Sequence, residues 1–163
     1  MSKSLNELLD QLAALQYLHE QLYKLAEQKR SAIITGKLEP FEEVTKAERE
    51  LVQHIEDIEK LRQQTVLIVA GELKISKLKL IDIIEACPNH EWKDKLKNQR
   101  DSLKNAVEKI RLYNRQNSEL LKASIEHVHA FMKMVGQASS VNPTYSTQGM
   151  QAMQGRCILD QKI

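Results

Sequence analysis

Residues 89–135 read NHEWKDKLKNQRDSLKNAVEKIRLYNRQNSELLKASIEHVHAFMKMV and contain neither glycine nor proline. A β-rich chain needs a turn about every 8–12 residues, so a run of this length predicts a single long helix. We expect this helix to extend from residue 90 to about residue 138, which is roughly 70 Å. Its apolar residues recur at helical spacing: Trp92, Leu96, Leu103, Val107, Ile110, and, beyond two asparagines, Leu121, Ile125, Val128, Phe131, Met132 and Val135.

A second run without glycine or proline covers residues 1–35 and predicts the first helix. Ser4 followed by Glu7 has the spacing of a capping box at a helix start, and Gly36 suits the position just after a helix end. Leucines at a spacing of three and four residues predict the buried face, among them Leu5, Leu8, Leu12 and Leu15.

The second long helix is predicted to begin near Pro40 and to end near residue 73, with Gly71 as a weak point in its last turn. Residues 77–86 predict a short helix that closes one end of a bundle, and Asn89 suits the N-cap of the last helix. The expected buried face of the second helix consists of Phe41, Val44, Ala47, Leu51, Ile55, Ile58, Leu61, Thr65, Ile68 and Val69.

These elements predict an all-α fold, an elongated antiparallel helical bundle or coiled coil of three long helices plus one short helix. Apolar residues make up 42% of the chain and aromatic residues 4%, so aliphatic seams form the core. We expect the bundle to occupy residues 1–138. Residues 139–163 are rich in Ser, Gln, Gly and Met without a periodic apolar pattern, and predict a flexible C-terminal tail.

Charge and hydropathy narrow the function classes. The net charge is +2, which lacks the basic excess of nucleic-acid binders. The longest uncharged apolar run is 66–70, far short of the ~20 residues that a membrane helix needs. Residues 1–7 lack the apolar region of a signal peptide, and the two cysteines suit free thiols in a reducing compartment. The expectation is a cytoplasmic protein without nucleic-acid binding or membrane insertion.

Catalytic and metal-binding motifs give no positive indication. The five glycines form no phosphate-binding loop, and neither His19-Glu20 nor His90-Glu91 is followed by the second histidine of a zinc-binding HExxH motif. Cys87 and His90 have a spacing that allows one shared metal, but no further cysteine lies near them. We therefore expect no enzyme activity, no metal and no cofactor.

Asn114 and Asn117 interrupt the apolar face of the last helix and allow two interpretations. A buried asparagine can fix the register of packed helices at a cost in stability. Alternatively, the face from here to Val135 is a docking surface, because the last helix is longer than the others and its end is expected to extend past them. Exposed apolar surface on such a helix is typical of binding sites.

Several features in this order resemble the FlgN family of flagellar export chaperones. They are the leucine-rich first helix, Gly36-Lys37-Leu38-Glu39, the acidic second helix through Arg62, the short helix, Asn114-x-x-Asn117-x-x-Leu120-Leu121, and Tyr145 four residues before Gly149. The likeness covers about residues 5–150, and the tail beyond Met150 matches nothing in that pattern.

The resemblance implies a cytosolic chaperone that holds the hook-associated proteins FlgK and FlgL through their C-terminal helical regions. It would keep them unassembled and deliver them to the flagellar type III secretion apparatus, in contact with its export gate or ATPase complex. In this family the C-terminal segment captures cargo. Mapped onto this sequence, the cargo-binding residues are Asn114, Asn117, Leu120, Leu121, Ile125, Val128, Phe131, Met132, Val135 and Tyr145.

The alternative hypothesis is a structural coiled-coil or scaffold protein that self-associates through the same apolar face and carries no cargo. A homodimer is compatible with either hypothesis. Sedimentation of the protein alone and with a hook-associated protein distinguishes them, because only the chaperone forms a heterocomplex.

Overall fold

The computed structural model describes the backbone of residues 2–140 and the side chains of residues 3–136. The described residues form helices and short connections, with no strand among them. The all-α prediction of three long helices and one short helix is therefore confirmed. The helices are α1 (Ser2–Thr35), α2 (Leu38–Leu73), α3 (Leu80–Ala86) and α4 (His90–Ser140). The region predicted as a flexible tail lies outside the described residues from position 141 onward, and Tyr145 with it.

The chain divides into two units, Met1–Glu119 and Leu120–Ile163. The first unit contains α1, α2, α3 and the first part of α4. The second contains the remainder of α4, of which side chains are described as far as residue 136. None of the described helices is long and apolar enough to cross a membrane.

Helices α1 and α2 form an antiparallel hairpin. The amide of Gln11 donates to the hydroxyl of Thr65 (2.9 Å), and Lys29 pairs with Glu48 across the two helices (2.6 Å). Gly36 joins them at a φ of 62°, a left-handed conformation that glycine adopts without steric cost, and its N–H donates to the carbonyl of Ile33. The predicted role of Gly36 at the end of the first helix is thus confirmed.

The core of the first unit lies where α3 closes the end of the hairpin, as the sequence predicted. Residues spaced three and four apart on α1 meet residues from each of the other helices there. The buried members are Leu5, Leu8, Leu12, Val66, Val69, Ile83, Ile84, Cys87 and Leu96. Cys87 therefore packs as a small apolar side chain.

Part of the predicted buried face of α2 is wrong. Leu61 and Ile68 are exposed, whereas Val66 and Ala70, which the periodic pattern left out, are buried together with Thr65. Residues 65–70 offer apolar side chains on almost every side of the helix. The position of the neighbouring helices, and not the periodicity of α2, decides which of them are buried.

The predicted capping box at Ser4 is also wrong. Helix α1 begins at Ser2, so Ser4 lies inside the helix, where its side chain is buried. Its hydroxyl donates to the Glu72 carboxylate of α2, and this hydrogen bond lowers the pKa of Glu72. The two ends of the hairpin are joined there by a contact between residues far apart in sequence.

The predicted N-cap of the last helix is confirmed at Asn89. The side-chain oxygen of Asn89 accepts hydrogen bonds from the backbone N–H groups of Glu91 (2.8 Å) and Trp92 (3.4 Å). These N–H groups have no partner within the helix, so the cap fixes where α4 begins.

Within the first unit, α4 runs in the same direction as α1, and polar side chains join the two helices beyond the core cluster. The amide of Gln99 donates to the Gln16 side chain (2.7 Å), and the amide of Asn117 donates to the carbonyl of Ala26 (2.7 Å). Between these contacts, Ile110 is buried.

Candidate functional site

The second unit contains an exposed apolar face on α4. We call Leu121, Ile125, Val128, Met132 and Val135 the α4 stripe; their spacings of four, three, four and three residues place them on one side of the helix. Apart from Leu121, which is half-buried, its members are 45–61% exposed. Such a repeat is the pattern of a helix that packs lengthwise against another helix.

Two bulky residues widen the α4 stripe. Phe131 lies beside it on the helix and is 62% exposed, and Leu120 is half-buried at its N-terminal end. Soluble proteins rarely expose contiguous apolar surface beyond a few hundred Å², and larger patches usually mark interaction sites. A straight ridge of this kind fits a groove or a second helix.

Apart from Met134, which is 64% exposed, the side of this helical segment away from the stripe is polar or carries small residues. Lys122, Glu126 and Lys133 are exposed, and so are Ala123 and Ala130, which lie opposite the α4 stripe. His127 and His129 are exposed as well. The segment is therefore amphipathic, with one apolar side available for contact.

The structure separates the two asparagines. Asn117 is 4% exposed and donates to the Ala26 carbonyl, whereas Asn114 is exposed. The buried Asn117 Oδ1 accepts no hydrogen bond from the described residues. These contacts favour the register interpretation for Asn117, because its one bond specifies which turn of α1 lies opposite.

We expect Asn117→Ala to reduce the free energy of unfolding by about 1 kcal/mol relative to Asn114→Ala. Both substitutions gain helix propensity equally, so their difference isolates the loss of the bond to Ala26. Urea unfolding followed by circular dichroism measures it. Equal stability of the two variants would show that the buried amide contributes nothing to the packing of α4.

A ring cluster that the sequence did not reveal also aligns α4 with α1 in the first unit. The Tyr23 and Tyr113 rings meet edge to face, with centroids 4.9 Å apart. The Lys109 ammonium lies 3.8 Å from the Tyr23 centroid, and the Arg30 guanidinium lies 5.6 Å from that of Tyr113. The Glu27 carboxylate beside the Tyr23 hydroxyl raises the pKa of that phenol. Nothing in the spacing of one helix identifies its partner ring on another helix.

Cys87 and His90, which the sequence allowed to share a metal, make different contacts in the structure. Cys87 is buried in the core, while His90 is exposed and lies 3.6 Å from Asp94 on its own helix. Among the described side chains, no group of three or more metal-ligating types comes together.

Comparison with known families identifies the chain. The family model described as FlgN protein matches residues 1–152. The chain belongs to the FlgN family. FlgN proteins are flagellar export chaperones, which bind flagellar hook-associated proteins in general, and the family is not an enzyme family. No curated protein and no solved structure gave a match.

The FlgN match includes all four helices, so the α4 stripe belongs to the family region. It also includes Tyr145, although that residue lies outside the described part of the chain. Residues 153–163 lie beyond the match.

Proposed function

We propose that this FlgN-family protein is a cytoplasmic chaperone that binds FlgK and FlgL and keeps them unassembled until export. The observation that carries the proposal is the α4 stripe, an exposed 4-3-4-3 apolar repeat on a helix whose other sides are mainly polar or small. A cargo helix laid along it would bury apolar surface on both partners, which is the main source of free energy for such docking.

The cargo surface that we propose consists chiefly of Ile125, Val128, Phe131, Met132 and Val135. Leu120 and Leu121 extend it at the N-terminal end, and Asn114 adds an exposed amide there. Tyr145 remains a proposed cargo contact from the family resemblance. Asn117 is not included, since its amide is buried against α1 and a cargo helix would have to displace that contact.

The mechanism needs no nucleotide. A chaperone that binds the unassembled cargo stabilises it by mass action, by an amount set by its free concentration relative to Kd. The C-terminal helical regions of FlgK and FlgL would otherwise expose the apolar faces through which they assemble. Covering those faces prevents premature assembly, and contact of the complex with the export gate or ATPase complex would precede release.

Self-association is the second candidate, because the 3.5-residue repeat of the α4 stripe is also the pattern of a coiled-coil dimer. In that case the stripe would be occupied by the same helix of a second copy, and cargo would be unnecessary.

Analytical ultracentrifugation of the purified chain with FlgL separates the two functions. We expect the chain alone to sediment near its 18.8 kDa mass at micromolar concentration, and the mixture to form a 1:1 heterocomplex. A chain that forms a stable oligomer and leaves FlgL and FlgK unbound would refute the chaperone proposal and support the scaffold.

A further inference from the structure

The chain continues past the α4 stripe with an apolar-containing C-terminal segment that has no assigned role. We propose that residues 150–163 cover the α4 stripe when no cargo is bound, so that the chain masks its own docking surface. The segment begins 15 residues after Val135, the last residue of the α4 stripe. Competition between the segment and cargo rests on the proposed function; the masking itself does not.

The lengths match. The α4 stripe from Leu121 to Val135 spans about 21 Å along the helix, at 1.5 Å per residue. Fourteen residues reach about 21 Å as a helix and about 46 Å when extended. Residues 141–149 contain Pro143 and Gly149, which favour a change of chain direction, and their extended reach exceeds the ~10 Å diameter of a helix.

The composition of residues 150–163 suits contact with the α4 stripe, which is a ridge without deep pockets. Methionine is unbranched and adapts its shape to irregular apolar surfaces. The segment carries two methionines and three aliphatic residues, Met150, Met153, Ile158, Leu159 and Ile163. Its charged residues, Arg156, Asp160 and Lys162, nearly balance, so packing and not charge would drive the contact.

A second copy of the chain is a weaker occupant. The face from Leu121 to Val135 measures about 21 by 10 Å in projection. Even doubled for the relief of the side chains, that area falls well below the roughly 800 Å² per partner of a standard interface, so any occupant on a separate chain, cargo included, must gain contacts beyond the stripe. A tethered segment avoids most of the entropic cost of association, since a short linker gives an effective concentration in the millimolar range. A small patch is therefore sufficient for a covalently attached occupant.

The natural cysteine in the segment allows a direct test on the full chain. Cys157 lies within it, and Cys87 is only 6% exposed, so a thiol-reactive spin label is directed to Cys157. We expect the label to broaden the amide NMR signals of residues 121–132 at least threefold more than those of residues 44–58 on α2. Equal broadening of the two regions would overturn the proposal.

A mixed sample distinguishes the two occupants. An isotope-labelled chain without the spin label is combined with a spin-labelled chain without the isotope. We expect no selective broadening of residues 121–132 in this mixture; broadening as strong as in the doubly labelled chain would mean that a second copy covers the stripe, and would overturn the proposal.

The affinity for FlgL tests whether residues 150–163 compete with cargo for the α4 stripe. Ile158→Asp with Leu159→Asp should raise the affinity for FlgL by up to about tenfold, because the stripe is then no longer occupied by its own tail. Gln151→Asp with Gln154→Asp adds the same charge at polar positions and should leave the affinity unchanged. An unchanged affinity in the first variant overturns the competition. Absence of FlgL binding in every variant overturns the proposed function instead, while the NMR signals still decide the masking.

Discussion

Replacing Ile125 and Met132 together by aspartate is expected to weaken the binding of FlgL at least 100-fold. Both side chains lie on the α4 stripe, about half exposed and seven residues apart. Each aspartate would bring a charge into an apolar contact, and truncation of central apolar contacts typically costs ~2 kcal/mol or more each. Since 1.4 kcal/mol is a tenfold change, two such positions exceed 100-fold. Isothermal titration calorimetry measures the change.

The matched control places the same two charges on the opposite side of the helix. Ala123 and Ala130 are exposed, also seven residues apart, and away from the α4 stripe. Ala123→Asp with Ala130→Asp should bind FlgL within about twofold of the unchanged chain, and both variants should keep their far-ultraviolet circular dichroism. If both pairs lose affinity equally, charge or helix propensity is responsible, and the stripe is not the docking surface.

Leu96→Ala is expected to lower the free energy of unfolding by about 3 kcal/mol. Leu96 is fully buried in the core cluster, where α4 meets α1, α2 and α3. Leucine-to-alanine changes at such sites cost about 2–5 kcal/mol, because apolar contact is lost and a cavity remains. Urea unfolding, or the decrease in Tm, measures the effect.

Leu112→Ala provides the comparison on the same helix, since Leu112 is 46% exposed. It should cost less than about 1 kcal/mol, because the side chain is already largely in water and alanine favours the helix. If Leu96→Ala were as mild as Leu112→Ala, α4 would not be anchored at this core. The two leucines thus test whether the N-terminal part of α4 is held by the core.

The residues that we expect to support stability and those that we propose for binding lie in different parts of one helix. Leu96 and Ile110 are buried in the first unit, whereas Ile125 and Met132 are exposed in the second. If the α4 stripe is the docking surface, as we propose, its occupant can change without exposing the core.

Much of the fold followed from local signals. Glycine at position 36 and asparagine at position 89 predicted two helix boundaries, since a left-handed turn and an N-cap depend on a few neighbouring atoms. The runs 1–35 and 89–135 without glycine and proline predicted the first and last helices, and Pro40 predicted the start of the second. The α4 stripe was visible as well, because its spacing repeats along a single helix.

The contacts between distant residues were not predictable in this way. Ser4 has the sequence context of a cap, yet it bonds Glu72 across the hairpin. Asn114 and Asn117 are alike in sequence context, yet only Asn117 meets a carbonyl of α1. In each case the deciding partner lies more than 60 residues away along the chain, and no local pattern specifies it.

The sequence by itself determined the number of helices, most of their ends, and the amphipathic character of the last one, because periodicity and capping act within a few turns. Only the tertiary structure decided which asparagine is buried, which side of α2 faces the core, and which tyrosines stack between α1 and α4. Burial depends on what lies opposite each side chain. Helices fixed by local sequence can be rotated about their axes until packing selects one arrangement.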